Sequence, residues 1–181
     1  EGAVKVWDLR NLLLTHNLKG HGSIVSSLAF YGELGSTNWK LASGSDNGKI
    51  IVWNLVKSQA IKTLSNHTSA VTSLQWTTRG DALLSGGRDK VLSIWRDLEL
   101  GATIPILEEV QTVGTVQGKY LFAASLQRVK VLSLSADVVS EWELGSNENE
   151  IVSIIRCSDS NAHLYACLSD DTIIELSLIH I

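Results

Sequence analysis

The sequence of 181 residues has no methionine and only two cysteines, Cys157 and Cys167. These cysteines are ten positions apart without Cys-x-x-Cys spacing, which argues against a structural zinc site, and a disulfide framework needs more of them. No apolar run approaches the roughly 18–20 residues that span a bilayer, and the first residues show no signal-peptide pattern. We therefore expect no metal site, no cofactor and no membrane segment.

The sequence also lacks any block of like charges, and its formal net charge is −4. Generic binding to nucleic acid phosphates needs a concentrated basic face. The composition argues against such a binder, while leaving room for a few local basic contacts with RNA. An apolar content of 44% argues against disorder.

What the sequence does contain is a repeat that ends in tryptophan. It occurs at residues 1–9 (EGAVKVWDL), 47–55 (NGKIIVWNL) and 89–96 (DKVLSIWR). The tryptophans, Trp7, Trp53 and Trp95, are separated by 46 and then 42 residues. This spacing is typical of a WD-type propeller blade, which has about 40–45 residues.

Each interval between tryptophans has the same internal order. A histidine (His21 or His67) precedes an alternating apolar strand, and a strand of small residues ending in Ser-Gly follows. A tight turn then leads into the tryptophan strand. Short runs rich in β-branched residues and separated by turn residues indicate strands throughout, with no amphipathic helix of useful length.

The second half keeps this rhythm with weaker signatures. Residues 120–125 and 128–134 are predicted to be the second and third strands of a blade, with Leu132 in the place of tryptophan. Residues 151–155, 163–168 and 172–176 repeat the order. We therefore predict an all-β fold of antiparallel four-stranded blades, a partial WD-repeat β-propeller with about four blades of a ring of seven.

Residues 1–181 are expected to form a single incomplete propeller. Its blades end near Trp7, Trp53, Trp95, Leu132 and Leu176. Because the sequence opens inside a motif and ends partway through a blade, two apolar walls would be bare. We expect the chain to be an internal piece of a longer protein, with further blades outside these boundaries.

Three polar residues, His67, Ser85 and Asp89, could suggest a hydrolase triad. The repeat favours another interpretation, because the serine lies ten residues before the tryptophan in both well-marked blades. A catalytic nucleophile has no reason to recur in step with a buried indole. We predict instead a structural chain of hydrogen bonds from tryptophan through serine and histidine to an acidic partner. The residues of this predicted brace are His21, Ser43, Asn47, Trp53, His67, Ser85, Asp89 and Trp95.

The brace is expected to differ between blades. Asn47 occupies the place of Asp89, and its amide should accept from His21 without contributing a charge, which predicts a weaker brace. The fourth and fifth units lack histidine and tryptophan at the corresponding positions, so we expect them to be stabilised by apolar packing alone.

The chain resembles the WD-repeat family over nearly its whole length. A narrower resemblance is to the family of transducin beta-like protein three and Utp thirteen, subunits of the small-subunit processome. The segments that carry it are residues 67–74 (HTSAVTSL), 83–90 (LLSGGRDK), 94–95 (IW), 103–110 (TIPILEEV), 19–28 (KGHGSIVSSL) and 30–33 (FYGE).

This resemblance implies a non-catalytic scaffold that acts in pre-rRNA processing and ribosome biogenesis in the nucleolus. The implied partners are other WD-repeat processome proteins and the pre-ribosomal ribonucleoprotein particle with its small nucleolar RNA, with direct RNA contact left open. No membrane and no small-molecule substrate is implied. The resemblance assigns this chain to the first of two propellers.

A second hypothesis comes from Trp7, Asp8 and Arg10. With Leu9 they match the W-D-x-R pattern at the end of a blade in substrate receptors of cullin-type ubiquitin ligases. Short motifs of this kind have high false-positive rates. The alternative function is therefore a ligase substrate receptor that docks through this motif.

Overall fold

The computed structural model describes residues 2–32, 37–144, 149–156 and 163–177. Within these ranges every regular element is a β-strand, and no helix is long and apolar enough to cross a membrane. Cys157, Glu33 of the segment 30–33 and residues 178–181 lie outside the described residues.

The strands of the described residues form five antiparallel sheets, called here blades 1 to 5, which follow one another along the chain. Blade 1 contains β1 (Val4–Asp8) and β2 (Leu13–Leu18). Blade 2 contains β3 (Val25–Tyr31), β4 (Lys40–Ser45), β5 (Lys49–Asn54) and β6 (Gln59–Ser65). Blade 3 contains β7 (Val71–Trp76), β8 (Ala82–Gly87), β9 (Val91–Arg96) and β10 (Glu99–Pro105). Blade 4 contains β11 (Thr112–Val116), β12 (Tyr120–Ala124), β13 (Arg128–Ser133) and β14 (Val138–Glu143), and blade 5 contains β15 (Ile151–Arg156), β16 (His163–Leu168) and β17 (Ile173–Ser177).

This architecture confirms the predicted all-β fold with antiparallel four-stranded blades, and it is consistent with part of a propeller. In each complete blade the strands pair in chain order, so each blade is a meander. The first strands of successive blades lie side by side, β3 against β7 and β7 against β11. The blades are therefore stacked face to face around their first strands.

Apolar packing between neighbouring blades forms the core. Alternate residues of one strand point to opposite sides: Val52 packs with blade 3, whereas Ile51 and Trp53 pack towards blade 1. In blade 3, Leu83 faces blade 2 and Leu84 faces blade 4. Because both faces are covered, the central strands are almost continuously apolar, as expected for doubly buried sheets.

An extra residue interrupts the pairing of the third and fourth strands at the same place in four blades. The register shifts at Val6/Trp7, at Val52/Trp53, at the equivalent place opposite Trp95, and at Val131/Leu132. Such bulges increase the local twist of a strand. Leu132 in blade 4 thus lies at the same register shift as the tryptophans, next to the bulge of the fourth strand.

The second strands are rich in small residues because the first strand of the next blade lies directly against them. A Cβ atom at Gly44 would lie 2.7 Å from Val71 Cγ1, and one at Gly86 would lie 2.4 Å from Val110 Cγ1. Real Cβ atoms essentially never come this close to another heavy atom. The Ser-Gly pairs of the repeat therefore set the spacing between blades.

We predict that Gly86→Ala lowers the free energy of unfolding by about 1–3 kcal/mol, because the added methyl group forces Val110 and Val113, and with them β11, away from β8. Gly101→Ala is the matched control. Gly101 lies on β10, the outer strand of the same blade, and its Cβ would lie 3.3 Å from the nearest atom, the carbonyl oxygen of Ile94. Urea unfolding followed by tryptophan fluorescence measures both. Equal losses for the two variants would contradict this account of the blade spacing.

Candidate functional site

The hydrogen-bond chain of blade 3 links two paired strands to the turn between them and to the loop that enters the blade. Trp95 Nε1 donates to Ser85 Oγ at 2.8 Å, and Ser85 Oγ lies 2.8 Å from His67 Nε2. His67 Nδ1 lies 2.9 and 3.0 Å from the two carboxylate oxygens of Asp89. Asp89 also accepts from the backbone N–H of Thr68 at 2.9 Å. The structure thus brings together all four residues that the repeat pattern selected in this blade.

Local sequence explains how these side chains meet. Ser85 and Trp95 lie on paired strands β8 and β9, and Asp89 is in the tight turn between them. His67 comes from the loop that enters β7, so its imidazole ties that loop to the turn. The side chain of His67 is fully buried and that of Asp89 is 7% exposed. Each polar group has a partner, as buried groups require.

This constellation has the connectivity of a hydrolase triad but not its accessibility. Ser85 has 0% exposure, and its hydroxyl is already engaged by the indole of Trp95 and the imidazole of His67. A nucleophile must reach a substrate carbonyl beside an oxyanion site. In this packing the serine oxygen reaches neither substrate nor water. Among the described residues no group of three or more histidine, cysteine, aspartate or glutamate residues is placed to hold a metal ion.

Blade 2 forms only part of the chain. Trp53 Nε1 donates to Ser43 Oγ at 2.8 Å, and Ser43 Oγ lies 2.6 Å from His21 Nε2. The prediction that Asn47 accepts from the imidazole of His21 is wrong. The Asn47 amide nitrogen donates to the backbone carbonyl of His21 at 3.3 Å, and its oxygen accepts from the hydroxyl of Ser45.

The difference between the two blades arises because Ser45 and His21 compete for the side-chain oxygen of Asn47. Ser45 stands where blade 3 has Gly87, and its hydroxyl turns the Asn47 oxygen towards its own turn. His21 Nδ1 is consequently buried without a hydrogen-bond partner among the described residues. Burial and, secondarily, the charge of Lys49 lower the pKa of His21 below its ordinary value of 6.5.

Blade 4 replaces the chain with apolar side chains. From the strand register, Ala123 occupies the place of Ser85 and Leu132 that of Trp95. Ile106 lies four residues before Val110, as His67 lies four residues before Val71, and so takes the place of the histidine. All three are buried in one apolar cluster between blades 3 and 4. A polar chain and an apolar set therefore fill equivalent positions in neighbouring blades.

The expectation that blade 4 depends on apolar packing alone is nevertheless wrong. Glu108, in the loop before β11, accepts from the hydroxyl of Ser125 and forms an ion pair with Arg128, whose Nε is 3.1 Å away but not at a hydrogen-bonding angle. Arg128 also pairs with Glu141 at 3.6 Å and with Glu143 at 3.5 Å. This cluster connects the entering loop to β13 and β14 by charge, in a blade that has no histidine at the place of His67. A charged pair separated by twenty residues carries no signature in the repeat, so sequence reasoning missed it.

Two hydroxyl side chains that join neighbouring blades were also missed. Ser26 Oγ donates to the carbonyl of Val71 at 2.7 Å, and Thr72 donates from the equivalent position to the carbonyl of Val110. Both residues are the extra residue of a bulge in the first strand. The signal was present in the repeated strings Val-Ser-Ser-Leu and Val-Thr-Ser-Leu, each with a hydroxyl residue after the valine.

The W-D-x-R residues lie at the turn between β1 and β2. Asp8 accepts from the backbone N–H of Arg10 at 2.8 Å and from the Asn11 amide at 2.7 Å. These hydrogen bonds, led by that from Asn11, lower the pKa of Asp8. Trp7 is 53% exposed and Arg10 is exposed. Asp8 therefore organises its own turn.

Comparison with protein families identifies these blades. The model of the family described as "WD domain, G-beta repeat" matches residues 12–54 and 58–96. The chain carries WD40 repeats. Each matched repeat begins near the fourth strand of one blade and ends with the third strand of the next, so the WD40 unit is offset from the blade by one strand.

Curated relatives confirm the narrower resemblance. Transducin beta-like protein 3 of Rattus norvegicus is 31% identical over 153 residues, which cover 82% of this chain and 19% of the relative. U3 small nucleolar RNA-associated protein 13 of Saccharomyces cerevisiae is 34% identical over 190 residues, which cover 96% of this chain and 23% of the relative. The WD40 chain thus spans about a fifth of the length of these relatives.

A solved structure supports the fold. A chain in the crystal structure of the mitotic checkpoint complex superposes with a TM-score of 0.84, at 21% identity, over 97% of the WD40 chain and 56% of that chain. At this identity the likeness concerns the fold alone.

We predict that His67→Ala lowers the free energy of unfolding by roughly 3 kcal/mol, because it leaves Ser85 and the Asp89 carboxylate without their buried partner. His21→Ala is the matched comparison and should cost less, since one ring nitrogen of His21 has no hydrogen-bond partner among the residues that the structure describes. Urea unfolding measures both. An equal or larger loss for His21→Ala would contradict the ranking of the two blades.

The pKa of His21 also predicts a pH effect. Because the folded pKa lies below the unfolded value of 6.5, the unfolded state binds more protons and stability falls as pH drops below 6.5. The free energy of unfolding should therefore decrease between about pH 7 and about pH 5 in the wild type, and decrease less in His21→Gln. Unfolding curves at several pH values test this. Parallel pH profiles for the two proteins would contradict it.

Proposed function

We propose that this chain is a non-catalytic WD40 scaffold of the small-subunit processome, acting in pre-rRNA processing and ribosome biogenesis in the nucleolus. The observation that carries the proposal is the relation to U3 small nucleolar RNA-associated protein 13, which extends over 96% of the chain. The relation to transducin beta-like protein 3 supports it over 82% of the chain. The proposed partners are other WD-repeat processome proteins and the pre-ribosomal particle.

The geometry of the polar residues supports a scaffold over an enzyme. The residues that resemble a triad hydrogen-bond to one another and hold a loop to a turn, and the serine has no exposed surface. An equivalent position in blade 4 is filled by Ala123 within an apolar cluster. Because an alanine fills the position equivalent to Ser85 in the next blade, this position supports a packing role for the serine and not a catalytic one.

The ligase-receptor alternative is not favoured by the comparisons. Asp8 is occupied by its own turn, and the curated relatives named above are a U3-associated protein and a transducin beta-like protein. Replacing Arg10 distinguishes the two functions. A receptor that docks through this motif would lose binding without the guanidinium, whereas a scaffold would keep its partners.

The test is affinity purification of the tagged whole protein, followed by measurement of U3 small nucleolar RNA and precursor ribosomal RNA. We expect both RNAs and other WD-repeat proteins to be enriched, and Arg10→Ala to leave that enrichment unchanged. Recovery of a cullin ligase adaptor, lost in Arg10→Ala and without either RNA, would overturn the proposal. Tagged green fluorescent protein purified in parallel sets the background.

A further inference from the structure

A cleft opens between blades 3 and 4, at the end of the sheets that carries the loops between the first and second strands. It has a volume of about 270 Å³ and is lined by the β7–β8 loop, the end of β9, the β11–β12 loop and the β13–β14 turn. The two loops are close neighbours, since a Cβ at Gly118 would lie 3.3 Å from Thr78 Oγ1. Both blades that form the cleft are complete four-stranded sheets. The cleft is therefore a property of two whole blades.

Three cationic side chains line this cleft. They are Arg79 from the β7–β8 loop, Arg96 from the end of β9 and Lys119 from the β11–β12 loop. Arg79 and Lys119 are exposed and form no ion pair within the described part of the chain. In a chain with net charge −4, three converging cations are a marked local excess of positive charge.

Arg96 is held in place across the cleft. Its Nη2 donates to the backbone carbonyl of Leu134 in blade 4 at 2.6 Å, so the guanidinium bridges the two blades. A guanidinium has five N–H donors, and one bond of this kind leaves the others for a ligand. A preorganised donor loses less conformational entropy when an anion binds.

The same cleft has one carboxylate and an apolar side. Asp81 accepts from Thr77 Oγ1 at 2.6 Å, and this hydrogen bond is the main cause of its lowered pKa. Leu134 is 45% exposed at the mouth, with Leu84 and Ile94 beneath it in the interface of the two blades. The cleft thus combines a cationic rim with an aliphatic wall.

From these features we propose that the cleft binds an extended acidic peptide segment of a partner protein, with an aliphatic anchor residue against Leu134. Carboxylates on either side of the anchor would meet Arg79, Arg96 and Lys119, and a peptide N–H can donate to Asp81. A binding site of this kind needs few polar groups around an apolar anchor. The inference rests on the proposed scaffold function and names the chemistry of one partner.

Single-stranded RNA fits the cleft less well. Proteins that bind single-stranded RNA stack its bases on aromatic rings. No aromatic ring among the described residues lines this cleft. Positive charge without a stacking surface, next to exposed leucine, favours a peptide.

The test selects ligands from a phage-displayed library of random dodecapeptides on the whole protein. We expect enrichment of peptides that combine a leucine, isoleucine or valine with at least two acidic residues. A synthetic fluorescein-labelled peptide of the enriched sequence should then bind more weakly by at least about tenfold to the double variant Arg79→Glu, Lys119→Glu, because each reversal replaces an attraction by a repulsion. Lys57→Glu is the matched control, since Lys57 is exposed in the corresponding region of blade 2, and it should bind as the wild type does.

Three outcomes would overturn the proposal. The enriched peptides could lack acidic residues, the double variant could bind as tightly as Lys57→Glu does, or a twelve-nucleotide oligouridylate could bind to the wild type and lose its affinity in the double variant. Co-purification of U3 small nucleolar RNA tests the scaffold function separately, through the tagged protein rather than through the cleft. A wild-type protein that recovers U3 small nucleolar RNA but selects no acidic peptide would therefore contradict the cleft inference alone.

Discussion

Burial of apolar surface between successive sheets is the interaction on which the rest of this structure depends. Every complete blade presents two apolar faces, and each face is covered by a neighbouring blade, as Leu83 and Leu84 illustrate in β8. Because a strand alternates its side chains with a period of two, one strand contributes to two cores at once. The small residues Gly44 and Gly86 follow from the same constraint, since the valine side chains of the next blade lie so close that no room is left for a Cβ.

The hydrogen-bond chain of blade 3 stabilises the blade in addition to this apolar packing. The indole, hydroxyl, imidazole and carboxylate connect β9, β8, the entering loop and the turn, and none of them is left unpaired. Blade 2 keeps the first three groups and loses the fourth, because Ser45 draws Asn47 away. Blade 4 dispenses with all of them and uses Ile106, Ala123 and Leu132. A blade can therefore be fixed in different ways, provided that its faces are covered.

Loops at the two ends of the blades have different chemistry. At one end the entering loops are held down, by His67 on Asp89 in blade 3 and by Glu108 on Arg128 in blade 4. At the other end, Arg79 and Lys119 extend from exposed loops and form no ion pair within the described part of the chain. A stack of sheets whose loops are held at one end and carry exposed cations at the other is suited to binding partners.

The sequence by itself determined the blades, because the recurrence of Trp53 and Trp95 with Ser43 and Ser85 ten residues before them reflects a local pairing of adjacent strands. Even in blade 4, the order of short strands around Leu132 was readable, since alternation and turn residues act over a few positions. Whether residues 1–181 form one incomplete propeller within a longer ring stays a prediction.

Only the tertiary structure decided what each polar side chain meets across a loop or between blades. The orientation of Asn47, the ion pairs of Arg128 and the bonds of Ser26 and Thr72 to the next blade depend on distances between segments far apart in the chain. The cleft of Arg79, Arg96 and Lys119 is of the same kind, as its three cations come from two blades. The physical reason is that strand formation is governed by neighbours in sequence, whereas a contact between sheets is set by how closely their faces pack.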